Sequence, residues 1–121
     1  MHRSHLHFLD DIKEAAGKIQ DYCKGMSYEQ FLADHRTQDA VIRNFEVIGE
    51  AIKNLPDDVK ARNPAVAWKQ VAGLRDVIAH GYFHVDYEVI WEIVTDRIPV
   101  FKKDIAKILR EEIRREKESQ K

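Results

Sequence analysis

The chain has 121 residues, 44% of them apolar, and 20 Lys and Arg stand against 21 Asp and Glu for a formal charge of −1. That length predicts one domain over residues 1–121 with a modest core, and the balanced charge excludes a protein-wide basic field that would draw in nucleic acid, so any site for a polyanion must be local or assembled between subunits. A single cysteine, Cys23, excludes an internal disulfide framework. No secretory h-region or bilayer-length apolar run is evident, which reads as a cytoplasmic chain without membrane contact.

Helical periodicity runs from end to end. Phe8, Ile12, Ala15, Ile19 and Cys23 recur at spacings of three and four after a cap at Ser4, and Gly25 is a stop signal. Ser27 followed by Gln30 has the capping-box pattern and opens a short turn through Phe31 and Leu32. A second long helix carries Val41, Phe45, Ile48, Ile52 and Leu55 on one stripe. Arg43, Asn44, Glu46 and Glu50 lie off that stripe, and Pro56 closes the helix. Asp57 to Arg62 is expected to add a single helical turn.

Asn63-Pro64 is a helix-start signal, because asparagine caps and proline at the first helical position leaves no donor stranded. Trp68, Val71, Leu74 and Ile78 mark the buried face of the third helix, which Gly81 is placed to end. Asp86 caps the fourth helix, whose apolar series runs from Val89 to Leu109. Pro99 lies inside that pattern and predicts a kink. The mixed-charge tail from about residue 110 is expected to fray. With no repeat, no linker and no strand-like alternation, the predicted architecture is an all-α, up-and-down four-helix bundle with short extra helical turns.

Residues 75–82 read Arg-Asp-Val-Ile-Ala-His-Gly-Tyr. A guanidinium holds a phosphate through paired hydrogen bonds, and a histidine near its ordinary pKa moves protons at neutral pH, so the grouping suits phosphodiester chemistry. On an unbroken helix, five residues separate Arg75 and His80 by about 140°. Convergence on one phosphate then requires a turn at Gly81 that swings His80 back, or a dimer in which each subunit contributes one group to a shared cleft. Taken singly, Arg75 also reads as a surface cation, His80 as a C-cap and Tyr82 as a packed aromatic.

The combination Arg-x4-His-x-Tyr at the end of a third bundle helix resembles the HEPN superfamily, and within it the HepT-like ribonuclease toxins. The likeness spans nearly the whole chain. Residues 43–51, Arg-Asn-Phe-Glu-Val-Ile-Gly-Glu-Ala, are similar to that family's second helix, and Pro64 with Trp68 resembles the segment leading into its motif. Val85-Asp86-Tyr87 and Trp91 resemble its return into helix four.

The resemblance implies a metal-independent endoribonuclease without a cofactor, acting as a homodimer on RNA, with Arg75 and His80 as the catalytic pair. It also implies a cognate MntA-type nucleotidyltransferase antitoxin that attaches AMP to Tyr82, and a higher hetero-oligomer with that partner. Bulk and negative charge on the phenol would compete with RNA phosphate for the neighbouring cations. Asp76 departs from the asparagine that many relatives carry. Its carboxylate is an auxiliary candidate, able to neutralise the guanidinium or to orient Arg75 or His80.

Weaker constellations have ordinary readings. His2, His5 and His7 lie near a terminus without a companion ligand set, so no metal site is assigned. His84 reads as a loop histidine, and Glu46 and Glu50 as solvated helix residues. Arg110, Arg114, Arg115 and Lys117 alternate with glutamates as on a solvated helical end. Two other classes of function fit the same residues. One is a non-catalytic nucleotide- or partner-binding subunit of a nucleotidyltransferase complex, and the other is a purely structural oligomerisation bundle.

Overall fold

A computed structural model describes residues 4–80 and 86–120, with the backbone alone for 75–80. Its described residues form helices and no strand: α1 (His5–Cys23), α2 (Tyr28–Ala33), α3 (His35–Asn54), α4 (Asp57–Arg62), α5 (Trp68–His80), α6 (Tyr87–Glu92), a π-helical turn (Ile93–Arg97) and α7 (Ile98–Ser119). The long members are α1, α3, α5 and the α6–α7 stretch. Helix α1 packs on α3 and α7, and α5 packs on α3, so the expected all-α bundle is the architecture found.

The local signals act largely as their chemistry requires. At α2, Ser27 Oγ accepts the Gln30 N–H at 3.1 Å while Gln30 Oε1 accepts the Ser27 N–H at 2.8 Å, a complete capping box. Gly25 takes a φ of 75°, the left-handed conformation that lets the chain leave α1 and turn into α2. Asp34 caps α3 by accepting the Thr37 N–H at 3.0 Å and its hydroxyl at 2.8 Å. These bonds hold the Asp34 carboxyl below its ordinary value. Asp86 caps α6 through the N–H groups of Glu88 and Val89. Ser4 occupies the N-cap position of α1, but its hydroxyl takes no helix N–H; its backbone carbonyl accepts from His7 instead.

The core is a continuous apolar cluster. Leu9, Ile12, Ala16 and Ile19 of α1 meet Val41, Phe45, Ile48 and Ile52 of α3, and Ile98, Phe101, Ile105 and Ile108 of α7 join them. Phe31 is fully buried beneath Trp91, with ring centroids 5.1 Å apart, and Tyr87 approaches its edge at 6.3 Å. Cys23 is buried as well. Loss of solvation, helped by the Asp34 charge, pushes its thiol up to about 11.

Four expectations need correction. Asn63-Pro64 does not start α5, which begins at Trp68. Asn63 instead ends α4, its Nδ2 donating to Val59 O at 2.8 Å, while its own carbonyl accepts from the Val66 N–H and from Trp68 Nε1. Asn44 is buried although it lies off the apolar stripe, and its Nδ2 is satisfied by the Ala40 carbonyl one turn back at 2.8 Å.

The interruption near Pro99 takes the form of a π-helical turn just ahead of it. Proline offers no N–H to the carbonyl four residues back, and the ladder takes one extra residue, with Ile98 N–H closing on Ile93 O. Finally, the tail does not fray at residue 110, because α7 continues to Ser119 and Glu112 is 3% exposed. Arg62 Nη2 and Nε donate to its two oxygens at 2.6 and 3.2 Å, His5 Nε2 lies 3.3 Å away, and Arg115 adds a longer contact. One carboxylate thereby links α1, α4 and α7.

Candidate active site

Helix α5 carries the motif, and its placement begins at its first residue. The Trp68 indole is buried, and Nε1 donates to Asn63 O at 3.0 Å. Asn63 is fixed in turn to the last turn of α4, and Arg62 beside it is clamped to Glu112. The Glu112 and Asp58 carboxylates raise the Arg62 guanidinium further above its already high value. Val71 and Ala72 then seat α5 against the core. The root of the motif helix is thus held by a chain of hydrogen bonds reaching α7.

Arg75, Asp76 and His80 all lie on α5, whose helical backbone is continuous from Trp68 to His80. No break falls in the backbone between them, and the expected turn at Gly81 that would swing His80 toward Arg75 falls outside the described residues. The two positions are separated by about 7.5 Å along the axis and about 140° around it. Tyr82, His84 and the predicted break at Gly81 lie outside the described residues.

The neighbouring candidates resolve into ordinary roles. Glu46 lies on α3 and sits 3.7 Å from Arg43, an exposed i,i+3 pair of little energetic weight. Glu50 is on the same helix. His5 is engaged by Glu112 and His7 is exposed, while His2 is outside the described residues. Among the described residues, no group of three or more His, Cys, Asp or Glu side chains is arranged to hold a metal ion. Arg110, Arg114 and Lys117 are exposed on α7, as expected of a solvated face. Likewise, no described helix is long and apolar enough to cross a membrane.

Sequence reasoning missed the supports of this helix. Arg62 and Glu112 are 50 residues apart in the chain, and each has an unremarkable local context. Only the capping asparagine and the tryptophan carried a local signal, and the asparagine's pointed to the wrong boundary.

Comparison with known proteins supplies the family. The model of the ribonuclease HepT-like family matches residues 12–108. A provisionally named RNase of Methanocaldococcus jannaschii is 47% identical over 104 residues, covering 86% of each chain. A protein of Thermococcus cleftensis, provisionally named ribonuclease HepT, is 44% identical over 108 residues, covering 89% of this chain and 98% of its own. A provisionally named RNase of Caldanaerobacter subterraneus is 38% identical over 105 residues, 87% of this chain and 94% of its own. No solved structure gives a significant match. A match spanning 97 of 121 residues, on an all-helical bundle whose fifth helix carries the Arg-x4-His motif, makes the chain a member of the HepT-like ribonuclease family.

Proposed function

We propose that the protein is a metal-independent endoribonuclease of the toxin type, working as a homodimer with Arg75 and His80 as its catalytic residues. The observation that carries this reading is the helix that bears both residues in a chain of ribonuclease ancestry. Because that helix is continuous, a phosphate is best served by Arg75 and His80 from different subunits.

In the reaction, a ribose 2′-oxygen attacks the adjacent phosphorus as His80 removes its proton. The bond from phosphorus to the 5′-oxygen breaks, and that oxygen receives a proton from a second imidazole. Arg75 stabilises the charge that gathers on the non-bridging oxygens. The products are a 2′,3′-cyclic phosphate and a 5′-hydroxyl, with no net consumption of water. A dimer supplies two copies of His80, one for each proton transfer.

The same reading extends to regulation. Tyr82, two residues beyond His80, is the site at which a nucleotidyltransferase antitoxin attaches AMP. The phenolic oxygen attacks the α-phosphorus of ATP and pyrophosphate leaves. The added phosphodiester occupies the cations that RNA needs. Asp76 tunes Arg75 or His80.

The test is cleavage of total RNA in EDTA by wild type, His80→Ala and Arg75→Ala, with the product ends analysed. Wild type is expected to leave cyclic phosphate ends, and each variant to lose about a hundredfold or more. Dependence on added metal, or undiminished cleavage by His80→Ala, would overturn the mechanism.

A further inference from the structure

Helix α7 sorts its charges around its circumference, although they alternate along the chain. Lys103, Lys107, Arg110, Arg114 and Lys117 recur at spacings of four, three, four and three, and all five are exposed. At about 100° per residue they fall within an arc of about 80°, in a row about 21 Å long on the regular α-helix Ile98–Ser119. Ile105, Ile108 and Glu112 occupy the opposite side, in the core. Asp104, Glu111 and Glu118 stand along one edge of the row, and among the described residues none of the five cations is ion-paired to a carboxylate. We infer that this row is a second contact surface for RNA, gripping the sugar–phosphate backbone of a single strand outside the motif on α5.

Like charges three or four residues apart on a helix repel, so each of the four successive pairs in the row weakens the isolated helix. A helix face shaped only for solubility interleaves the two signs, best with glutamate four residues ahead of the cation. Here Lys107 precedes Glu111 and Arg114 precedes Glu118, the weaker order, and neither pair closes. A strand with one negative charge per nucleotide relieves the repulsion along the whole row and gains from counterion release. The narrowness of the row selects among anions. A flat anionic membrane would press its charge on Asp104, Glu111 and Glu118 too, and the apolar stripe of α7 already packs in the core, leaving none to insert. A linear backbone can follow the cations alone. Asp104, next to Lys103, lines a groove together with Gln70 near the foot of α5, and the row leads from there to the far end of α7. It therefore adds affinity without touching the scissile phosphate. The choice of RNA as the polyanion rests on the ribonuclease reading.

The test is binding of the full chain to a labelled single-stranded RNA with methylated 2′-hydroxyls, which cannot be cut, followed by fluorescence anisotropy across a salt series. Contact with five phosphates contributes about −3.5 to the slope of log K against log salt, at about 0.7 per phosphate of a single strand. The combined variant Lys107→Gln, Arg110→Gln, Arg114→Gln is expected to reduce that slope by about 2 and to weaken binding by about tenfold to a hundredfold near 0.1 M salt. Glutamine is a good helix former, and far-UV circular dichroism will show whether α7 persists. The combined variant Lys18→Gln, Lys24→Gln, Arg36→Gln removes the same charge from exposed positions elsewhere and is expected to bind nearly as wild type does. Undiminished binding by the row variant, or an equal loss in both variants, overturns the proposal. So does a row variant that releases phosphatidylserine vesicles yet keeps its RNA, which would give the row to a membrane surface. Cleavage of unmodified RNA is measured separately. If the row binds RNA while wild type cuts none, the contact surface stands and the ribonuclease reading falls. If wild type cuts RNA and the row variant binds it unchanged, that reading stands and the surface falls.

Discussion

Replacing Arg62 with alanine exposes the energetic asymmetry of the Glu112 cluster. Glu112 is 3% exposed, and Arg62 supplies its two shortest contacts at 2.6 and 3.2 Å. Removing one partner of a buried ion pair costs about 3–5 kcal/mol, because the remaining charge stays desolvated. Here His5 at 3.3 Å and Arg115 at 3.9 Å remain in reach, which places Arg62→Ala near the lower end, about 3 kcal/mol. For a domain of this size that corresponds to a fall in Tm of roughly 10 °C. The opposite change, Glu112→Gln, leaves Arg62 able to turn toward water and Asp58, and should cost about half as much. Urea denaturation followed by far-UV circular dichroism, with both single variants and the double variant, measures the cycle. A loss below about 1 kcal/mol for Arg62→Ala, or a larger loss for Glu112→Gln, would refute the argument from desolvation.

Three further outcomes are expected. With its thiol pushed up to about 11, Cys23 stays protonated at pH 8 and should resist a thiol reagent in the native protein, yet react on unfolding; labelling at equal rates in both states would contradict this burial. The depressed Asp34 carboxyl contributes stability that is present above its ordinary value of 3.8 and is lost as pH falls through the lower folded value, so Asp34→Asn should lower stability at neutral pH, converge on wild type in acid and flatten the acid limb of a stability–pH curve measured by urea unfolding. Trp68→Phe keeps an aromatic ring but removes the donor to Asn63 O, which should cost about 1 kcal/mol in urea unfolding. A neutral Trp68→Phe would mean that the bond contributes nothing at the root of α5.

Much of this fold was legible because its signals are local. Ser27 with Gln30 and Asp86 each meet their partners within three residues, and the apolar spacing of α1 and α3 directly names their buried faces. Legibility failed where a residue answers to something distant or to several partners. Asn63 looks like a helix start until its carbonyl is seen receiving Trp68, and Glu112 looks like one more solvated glutamate until Arg62 arrives from α4. Pro99 announced an interruption, but not that the preceding turn would absorb it by taking an extra residue. Arg75 and His80 could be recognised as a pair from type and spacing. The continuity of α5 adds what the letters left open, that the helix itself does not bend to unite them.

The chain's two tryptophans occupy very different posts, and that gives the molecule a built-in reporter. Trp91 lies against Phe31, whereas Trp68 is anchored at the foot of the helix bearing the motif. Substituting phenylalanine for Trp91 would leave a single indole emitter there. Its wavelength would register, without any attached dye, whether an oligonucleotide or a subunit partner disturbs the base of that helix.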